Sequence, residues 1–410
     1  MSAKGRSWLF CQLGAREHYV LPRDFHRQGR LRALITDAWA PPQSLLAHAP
    51  GRLGRRLIER YSPDLADATV EHFTGSAIGF DLAARLGPRA PSRWSTIMRR
   101  NEWFERNAVK RMAERRLLEG SPVVFAYSYA ALGILRAARA AGCPTVLGQI
   151  DPGITEEDIV ADAVSRQEAL KPDWTRAPPA YWTRWREECE IADRIVVNSP
   201  WAREGLIQAG VDPAKLVVIP LAYEGPASAV SRDIPARFSG ERPLRVLFLG
   251  SVVIRKGVAE LLDAARLLAD APVEFHFVGA ESITFPADVI ANSRIVRHGA
   301  VSRREVAGHY AAADVFILPS LSDGFGLTQI EAQAYGLPVI ASRRCGEVVS
   351  DGVNGLLLDE VSGAGIAQAV RRYLSDPGLL AAHASAAVRG VGRFTPDGAQ
   401  LLATLDGSIA

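Results

Sequence analysis

From residue 120 onward the chain alternates short apolar runs with longer stretches whose apolar residues recur at helical spacing. Val123 to Ala126 and Thr145 to Ile150 are compact apolar runs, with the alanine-rich stretch Ala130 to Ala141 between them. That order predicts a strand, a helix and a strand. Arg194 to Val197 and Leu216 to Ile219 repeat the strand pattern, and Pro200 to Gln208 between them predicts a helix closed by Gly210, a residue suited to the left-handed turn beyond a helix end. Tyr223 to Arg242 has neither period and holds Gly225, Pro226, Pro235 and Gly240, the composition of a linker. Beyond it, Leu244 to Leu249, Val273 to Val278, Ile295 to Arg297, Val315 to Leu318 and Pro338 to Ala341 are strand candidates separated by helical patterns. Alternation of this kind predicts an α/β chain with a parallel, doubly wound sheet on each side of the linker. The expected organisation is two Rossmann-like domains, residues 1–224 and 225–392, facing a central cleft, with a C-terminal helix over 393–410 packing back on the first. Such sheets take ligands at the carboxyl ends of their strands.

Composition fits two cores, because 410 residues at 48% apolar exceed what one core usually serves. No apolar run approaches the roughly 20 residues needed to span a bilayer. The four cysteines, Cys11, Cys143, Cys189 and Cys345, form no CxxC pair, so neither a disulfide framework nor a structural zinc site is expected. The expected setting is the cytoplasm. Net charge is +3, yet residues 1–120 hold 21 Lys and Arg against 12 Asp and Glu, a surplus of +9 that leaves −6 for the rest. A basic first part points toward an anionic partner, either a phosphate-bearing acceptor or the inner face of an anionic membrane. Within it, residues 93–116 predict an amphipathic helix with Trp94, Ile97, Met98, Phe104, Ala108 and Met112 on one face and Arg99, Arg106 and Lys110 opposite. Such a helix fits a peripheral contact with lipid head groups and equally a core-facing stripe with a solvated basic back.

Candidate chemistry concentrates where Val315 to Leu318 ends. There Gly324 and Gly326 lie in a loop that opens a helix near Leu327, with Asp323 in the loop and Glu331 one turn inside the helix. Glycines let backbone amides approach a ligand closely, and the free N–H groups of a first helical turn favour phosphate or developing negative charge. The two carboxylates can divide the work, Asp323 accepting from sugar hydroxyls and Glu331 from both hydroxyls of a ribose. A loop Asp and a solvated helix Glu is the plainer alternative. In Leu247 to Gly257 the strand ends at Gly250, and a short loop through Ser251 delivers Arg255 and Lys256. Fixed cations there suit a diphosphate, and a surface pair capping a loop is again the plainer reading.

From Pro319 to Ala341 the chain resembles the Glu-x7-Glu signature of family 4 retaining glycosyltransferases, including the trailing Ala-x-Gly-x-Pro-Val-Ile-Ala. The resemblance implies a GT-B fold and a donor site. In it Lys256 and Arg255 hold the pyrophosphate, Asp323 orients the transferred sugar, the backbone of Gly324, Phe325, Gly326 and Leu327 surrounds the phosphates, and Glu331 anchors the ribose. It further implies that Gly250 and Ser251 lie beneath the phosphates, that Gly14, after the first strand Trp8 to Leu13, touches them from the other domain, and that Gly299, in the turn His298 to Ser302, meets the nucleobase. Three positions depart from the family. Asp323 replaces a glutamate, Ser251 replaces an arginine, so that part of the phosphate clamp is missing or is supplied by Arg255, and Ile150 stands where many members have a histidine, leaving Asp151 as the catalytic candidate there. Arg16, Glu17 and His18 follow Gly14 at the cleft edge, where Glu17 reads equally as the charge complement of a helix start.

The resemblance implies transfer of a sugar, with retention, from a UDP- or GDP-sugar to a glycan, lipid-linked or small-molecule acceptor during polysaccharide, glycolipid or other glycoconjugate synthesis. No cofactor, metal or nucleic acid is expected, and no DxD pair occurs. A sugar-nucleotide 2-epimerase, a glycogen-synthase-like polymerase and a donor-binding protein without turnover are the alternatives on the same scaffold.

Overall fold

The computed structural model describes residues 5–44, 57–86, 92–225 and 232–394, with isolated positions at 54, 404 and 407. Strands that are apolar throughout must be covered on both faces, which parallel sheets with helical crossovers achieve. The first sheet contains Trp8–Gln12 (β1), Leu31–Thr36 (β2), Val70–His72 (β3), Val123–Tyr127 (β4), Thr145–Gln149 (β5), Arg194–Val197 (β6) and Leu216–Val218 (β7). The second contains Leu244–Leu249 (β8), Val273–Val278 (β9), Ile295–Gly299 (β10), Val315–Leu318 (β11), Val339–Ser342 (β12) and Gly355–Leu358 (β13). Neighbours pair in parallel in the orders β3-β2-β1-β4-β5-β6-β7 and β10-β9-β8-β11-β12-β13. Each order therefore reverses once, between β1 and β4 (Leu9 opposite Val124) and between β8 and β11 (Val246 opposite Val315). Crossovers leave a reversal in opposite directions, so a crevice opens at the carboxyl ends of exactly those strand pairs.

Three strands have no counterpart among the apolar runs. β3 and β13 are edges of three and four residues, and the first two positions of β2 lie outside the core, so none repeats the buried pattern of β4 or β5. The amphipathic segment forms one helix, Arg93–Glu114, which buries Phe104, Ala108 and Met112 in the core behind the first sheet and leaves Arg99, Arg106 and Lys110 exposed. The core-facing reading is the one realised for those three apolar residues. Among the described residues no helix is long and apolar enough to cross a membrane.

The two halves also meet outside the linker. Helix Ile154–Arg166 and the turn after it belong to the first half by sequence, but Ala163 and Leu170 pack in the core of the second sheet. Two backbone bonds fasten that seam, Asp173 N–H to the Ser282 carbonyl at 2.9 Å and Thr284 N–H to the Leu170 carbonyl at 2.7 Å. At the other end Val391 and Phe394 pack with Phe325 and Ile330 against Leu221 and Tyr223. Nearly all of the expected helix over 393–410 lies outside the described residues.

Gly257, at φ 71°, is where the turn after β8 crosses the chain after β11, and a Cβ there would stand 1.9 Å from the Pro319 carbonyl oxygen. A backbone atom cannot swing aside. Gly257→Ala is therefore expected to cost about 2–4 kcal/mol in urea unfolding, and an unchanged midpoint would show that the two loops do not approach so closely.

Candidate functional site

Because β8 and β11 flank the reversal, the loops that follow them converge. β8 ends at Gly250, whose N–H donates to the Val278 carbonyl at 2.9 Å, and the chain then makes a short 3-10 turn through Ile254–Lys256. From that turn Lys256 Nζ pairs with Asp323 Oδ2, while Arg255 Nη1 lies 3.1 Å from Asp323 Oδ1 and donates to the Ser322 carbonyl at 3.0 Å. Glu156, in the first turn of helix Ile154–Arg166, lies 3.6 Å from Arg255 Nη1 and accepts from Ser322 Oγ at 2.9 Å. Burial alone would push the Asp323 carboxyl up, but Lys256 and Arg255 together outweigh it and hold the group below the usual carboxylate range. Burial does raise Glu156, with Asp151 and Asp323 adding to it against the pull of Arg255. Burial would lower Arg255, yet Glu156 and Asp323 reverse that and keep it charged.

The first half braces this cluster. Ser199 Oγ donates to the Gly324 carbonyl at 2.6 Å, Trp201 Nε1 to Ser322 Oγ at 3.1 Å, and a Cβ on Gly324 would lie 2.0 Å from the Ile150 carbonyl oxygen. Beyond it Phe325 turns its side chain into a buried cluster with Ile330 and Phe394, so it offers a ligand only backbone. Gly326, at φ 79°, reverses the chain into helix Thr328–Ala334. On that helix Glu331 Oε2 accepts from the Tyr310 hydroxyl at 2.8 Å, and the Tyr310 ring stacks on Tyr335 at 5.3 Å and 17°.

Two cavities flank the end of β8. One, of about 670 Å³, is lined by Leu249, Arg303, Leu327 and Glu331 and, from the first half, by Glu17 and His18. The other, of about 360 Å³, takes Ser251 and Arg255 together with Asp151, Glu156 and a set of aromatic rings. Leu249 faces the first and Ser251 the second, so Gly250 lies between them.

The sequence-predicted residues thus divide. Arg255, Lys256, Asp323 and Gly324 come together, Gly250 and Ser251 adjoin them, Asp151 shares a cavity with Arg255, and Leu327 and Glu331 share the larger one. Gly14 and Gly299 are not among the lining residues of either cavity. The Gly14 N–H donates to Asp37 Oδ1 at 2.9 Å. Gly299 closes β10, its carbonyl accepting from the Gly279 N–H at 2.8 Å, and the neighbouring His298 ring stacks on His276 at 5.4 Å. Glu156, Ser322, Arg303, Tyr129, Trp174 and Tyr181 were missed. Glu156 resembles any acidic residue of a first helical turn, whereas the aromatics interleaved with polar residues from Trp174 to Trp185 were a usable signal.

Glu17, His18 and Tyr19 have φ of 50°, 48° and 62° in succession. Consecutive left-handed residues with side chains are strained and persist only where the surroundings hold them. Here Arg303 Nη1 lies 2.8 Å from His18 Nε2 across the large cavity, and the Tyr19 hydroxyl donates to the Arg60 carbonyl at 3.1 Å. Burial, followed by Arg303, pulls the His18 pKa down, which suits a neutral ring accepting from a guanidinium. Burial pushes Glu17 up to about 7, against the smaller opposing effects of Arg16 and Tyr127. Glu17 is thus a cavity wall, one turn ahead of the helix that starts at Val20.

Comparison with known proteins bears on both halves. A model described as Glycosyltransferase Family 4 matches residues 52–223, and one described as Glycosyl transferases group 1 matches residues 243–376. A D-inositol 3-phosphate glycosyltransferase of Geodermatophilus obscurus is 35% identical over 220 residues, covering 47% of this chain and 48% of that protein. An uncharacterised 41.2 kDa protein in the cps region of Klebsiella pneumoniae is 28% identical over 179 residues, covering 41% and 48%. The chain spans about half the length of the curated relatives it matches. Among solved structures, Anabaena HepE in complex with UDP and glucose aligns with a TM-score of 0.61 at 19% identity over 98% of this chain and 100% of that one. Sucrose-phosphate synthase from Thermosynechococcus elongatus aligns at 0.63 and 18% identity, over 98% and 100%.

Glu17 supplies a pH test. Its folded pKa of about 7 lies above the ordinary 4.5, so its contribution to stability is complete below about 4.5 and is lost as the pH rises through about 7. In Glu17→Gln the difference in unfolding free energy between pH 5 and pH 8 should shrink by on the order of 1–3 kcal/mol. An unchanged difference would mean the carboxyl ionises normally.

Proposed function

Because the chain belongs to family 4 of the glycosyltransferases, the GT-B architecture, we propose that it moves a sugar from a nucleoside diphosphate sugar to an acceptor with retention of anomeric configuration. One observation carries this reading: a large cavity holding Glu331, a fixed pair of cations and a second cavity holding Asp151 succeed one another along the cleft. That is the order in which nucleoside, diphosphate and acceptor must lie if the transferred sugar is to sit over Asp323.

In this arrangement Glu331 accepts from the ribose hydroxyls, its rotamer set by Tyr310. Lys256, Arg255 and the amides that follow Asp323 meet the charge that builds on the departing diphosphate. Asp323 keeps both cations in place and orients the sugar. The bond from the anomeric carbon to the phosphate oxygen breaks, the acceptor oxygen bonds to the same face, and its proton passes to the departing phosphate. The protein then supplies position and field more than a nucleophile. UDP-sugars are the first donors to test, since the Anabaena neighbour was solved with UDP-glucose.

Nucleoside diphosphate release should depend on an acceptor, and release of an epimerised sugar without one would replace this reading. Lys256→Ala should lower kcat/KM about 10²–10³-fold while circular dichroism remains native, because Arg255 stays as a partner for Asp323; wild-type turnover would remove Lys256 from the site. Turnover should survive EDTA, since two cations already face the diphosphate, and loss restored by magnesium or manganese would overturn that. Glu331→Gln can still accept from Tyr310, but its amide nitrogen cannot accept a ribose hydroxyl. Calorimetry should therefore show affinity for the free nucleoside diphosphate falling by about 1.5–3 kcal/mol, whereas unaltered affinity would place the ribose elsewhere.

A further inference from the structure

The smaller cavity differs in chemistry from the larger. Trp94, Tyr129, Trp174 and Tyr181 line it, and each is only half-buried, so ring surface faces the space. Three of the four rings are held by neighbours. Tyr129 and Tyr181 stack at 4.9 Å and 18°, Trp94 lies 4.9 Å from Tyr181, and Trp94 Nε1 donates to the Thr175 carbonyl at 3.0 Å. Carboxylates stand among them. Asp151, Glu156, Glu157 and Asp173 line the cavity against two cations, Arg93 and Arg255, and Arg255 is already matched by Asp323 and Glu156.

Asp151 is positioned to take a ligand. Its Oδ1 accepts from the Tyr129 hydroxyl, from Gln149 Nε2 at 2.9 Å and from the Gly153 N–H at 2.9 Å, and among the described residues none of these bonds falls on Oδ2. A further cavity of about 200 Å³ shares Ile97, Tyr129, Asp151 and Tyr181 with this one, so the two form a groove longer than a single ring.

Aromatic faces beside carboxylates match a pyranose, which offers an apolar C–H face for stacking and a rim of hydroxyl donors. The same wall offers a phosphate little free positive charge, since Arg255 is matched by Asp323 and Glu156, and the remaining cations, Arg93 and, in the adjoining cavity, Arg16, face Asp151, Glu157 and Asp173. We propose that the groove binds the acceptor as a neutral sugar unit, its ring stacked on Trp174 and Tyr181 and a hydroxyl held by Asp151 beside Arg255. The proposal rests on the glycosyltransferase reading and names the acceptor class for it. It parts from the relatives named for an inositol phosphate, and from the anionic partner that the basic first 120 residues suggest.

Tryptophan fluorescence of the full chain, titrated with maltose, cellobiose, lactose and myo-inositol 1-phosphate, tests the proposal, with UDP and GDP titrated separately. At least one disaccharide should quench saturably and the inositol phosphate should not. Trp174→Ala and Asp151→Asn should raise the half-saturating saccharide concentration about tenfold, Trp174→Phe should restore most of the affinity, and nucleotide binding should stay as in wild type. Quenching by the inositol phosphate in preference to every disaccharide, the absence of any disaccharide response, or an unshifted Trp174→Ala curve would each overturn the acceptor assignment while nucleotide binding leaves the transferase reading standing. Failure of both nucleotides to bind would remove that reading and this one with it.

Discussion

A buried carboxylate between two cations is the constraint on which the rest of this structure turns. Asp323 is 9% exposed and keeps its charge only because Lys256 and Arg255 reach it from the loop after the neighbouring strand. A buried charge stripped of its partners costs several kcal/mol, so the two loops are held together as firmly as the strands they follow. That juxtaposition exists because the strand order reverses between β8 and β11. Topology thus determines which residues become partners, and the partners in turn fix the topology's crevice as a place of concentrated charge.

The same cluster joins the halves of the chain. Glu156 and Ser199 reach Arg255 and Gly324 from the first half, and the segment that carries Glu156 continues into the core of the second sheet through Ala163 and Leu170. Cations fixed before a ligand arrives need no reorganisation when charge develops beside them. Because helix Ile154–Arg166 and the turn bearing Arg255 pack on one another, the aromatic groove keeps its distance from the cations. A group bound in that groove is therefore registered against Arg255 and Lys256 by packing.

What was legible in the sequence follows from the range of each interaction. Buried parallel strands are written as continuous apolar runs, so β4, β5, β8, β9 and β11 could be read locally, as could the loop and helix from Pro319 onward. Edge strands such as β3 and β13 are short and only partly covered, and they leave no such trace. The carboxylate spacing between Asp323 and Glu331 is local, but their partners are not: Lys256, Arg255 and Tyr310 lie on other elements, and only the sheet order selects them. The roles expected of Gly14 and Gly299 are hard to read locally for a related reason. A glycine at a strand end marks a turn reliably, whereas its polar groups are as easily taken by the protein, the Gly14 N–H by Asp37 and the Gly299 carbonyl by the Gly279 N–H, as by a ligand.

The charge of the first 120 residues shows how a sum can mislead where a field does not. Several of the arginines counted in it are held in internal pairs and do not project freely: Arg60 and Arg100 both reach Asp37, at 2.7 and 3.1 Å, Arg111 pairs with Glu71, and Arg23 with Asp64 and Glu224. A cation committed to a half-buried carboxylate projects little toward a ligand, and screening within about 8–10 Å removes most of what the exposed ones project. In the cavity with the aromatic rings acidic residues outnumber cations, because Asp151, Glu156, Glu157 and Asp173 arrive there from one stretch of chain and meet Arg93 and Arg255, while Arg99, Arg106 and Lys110 of the amphipathic helix face outward. Selection of a ligand is made by the charges that line its cavity, so the few residues from 151 to 173 decide what the more numerous arginines before them do not.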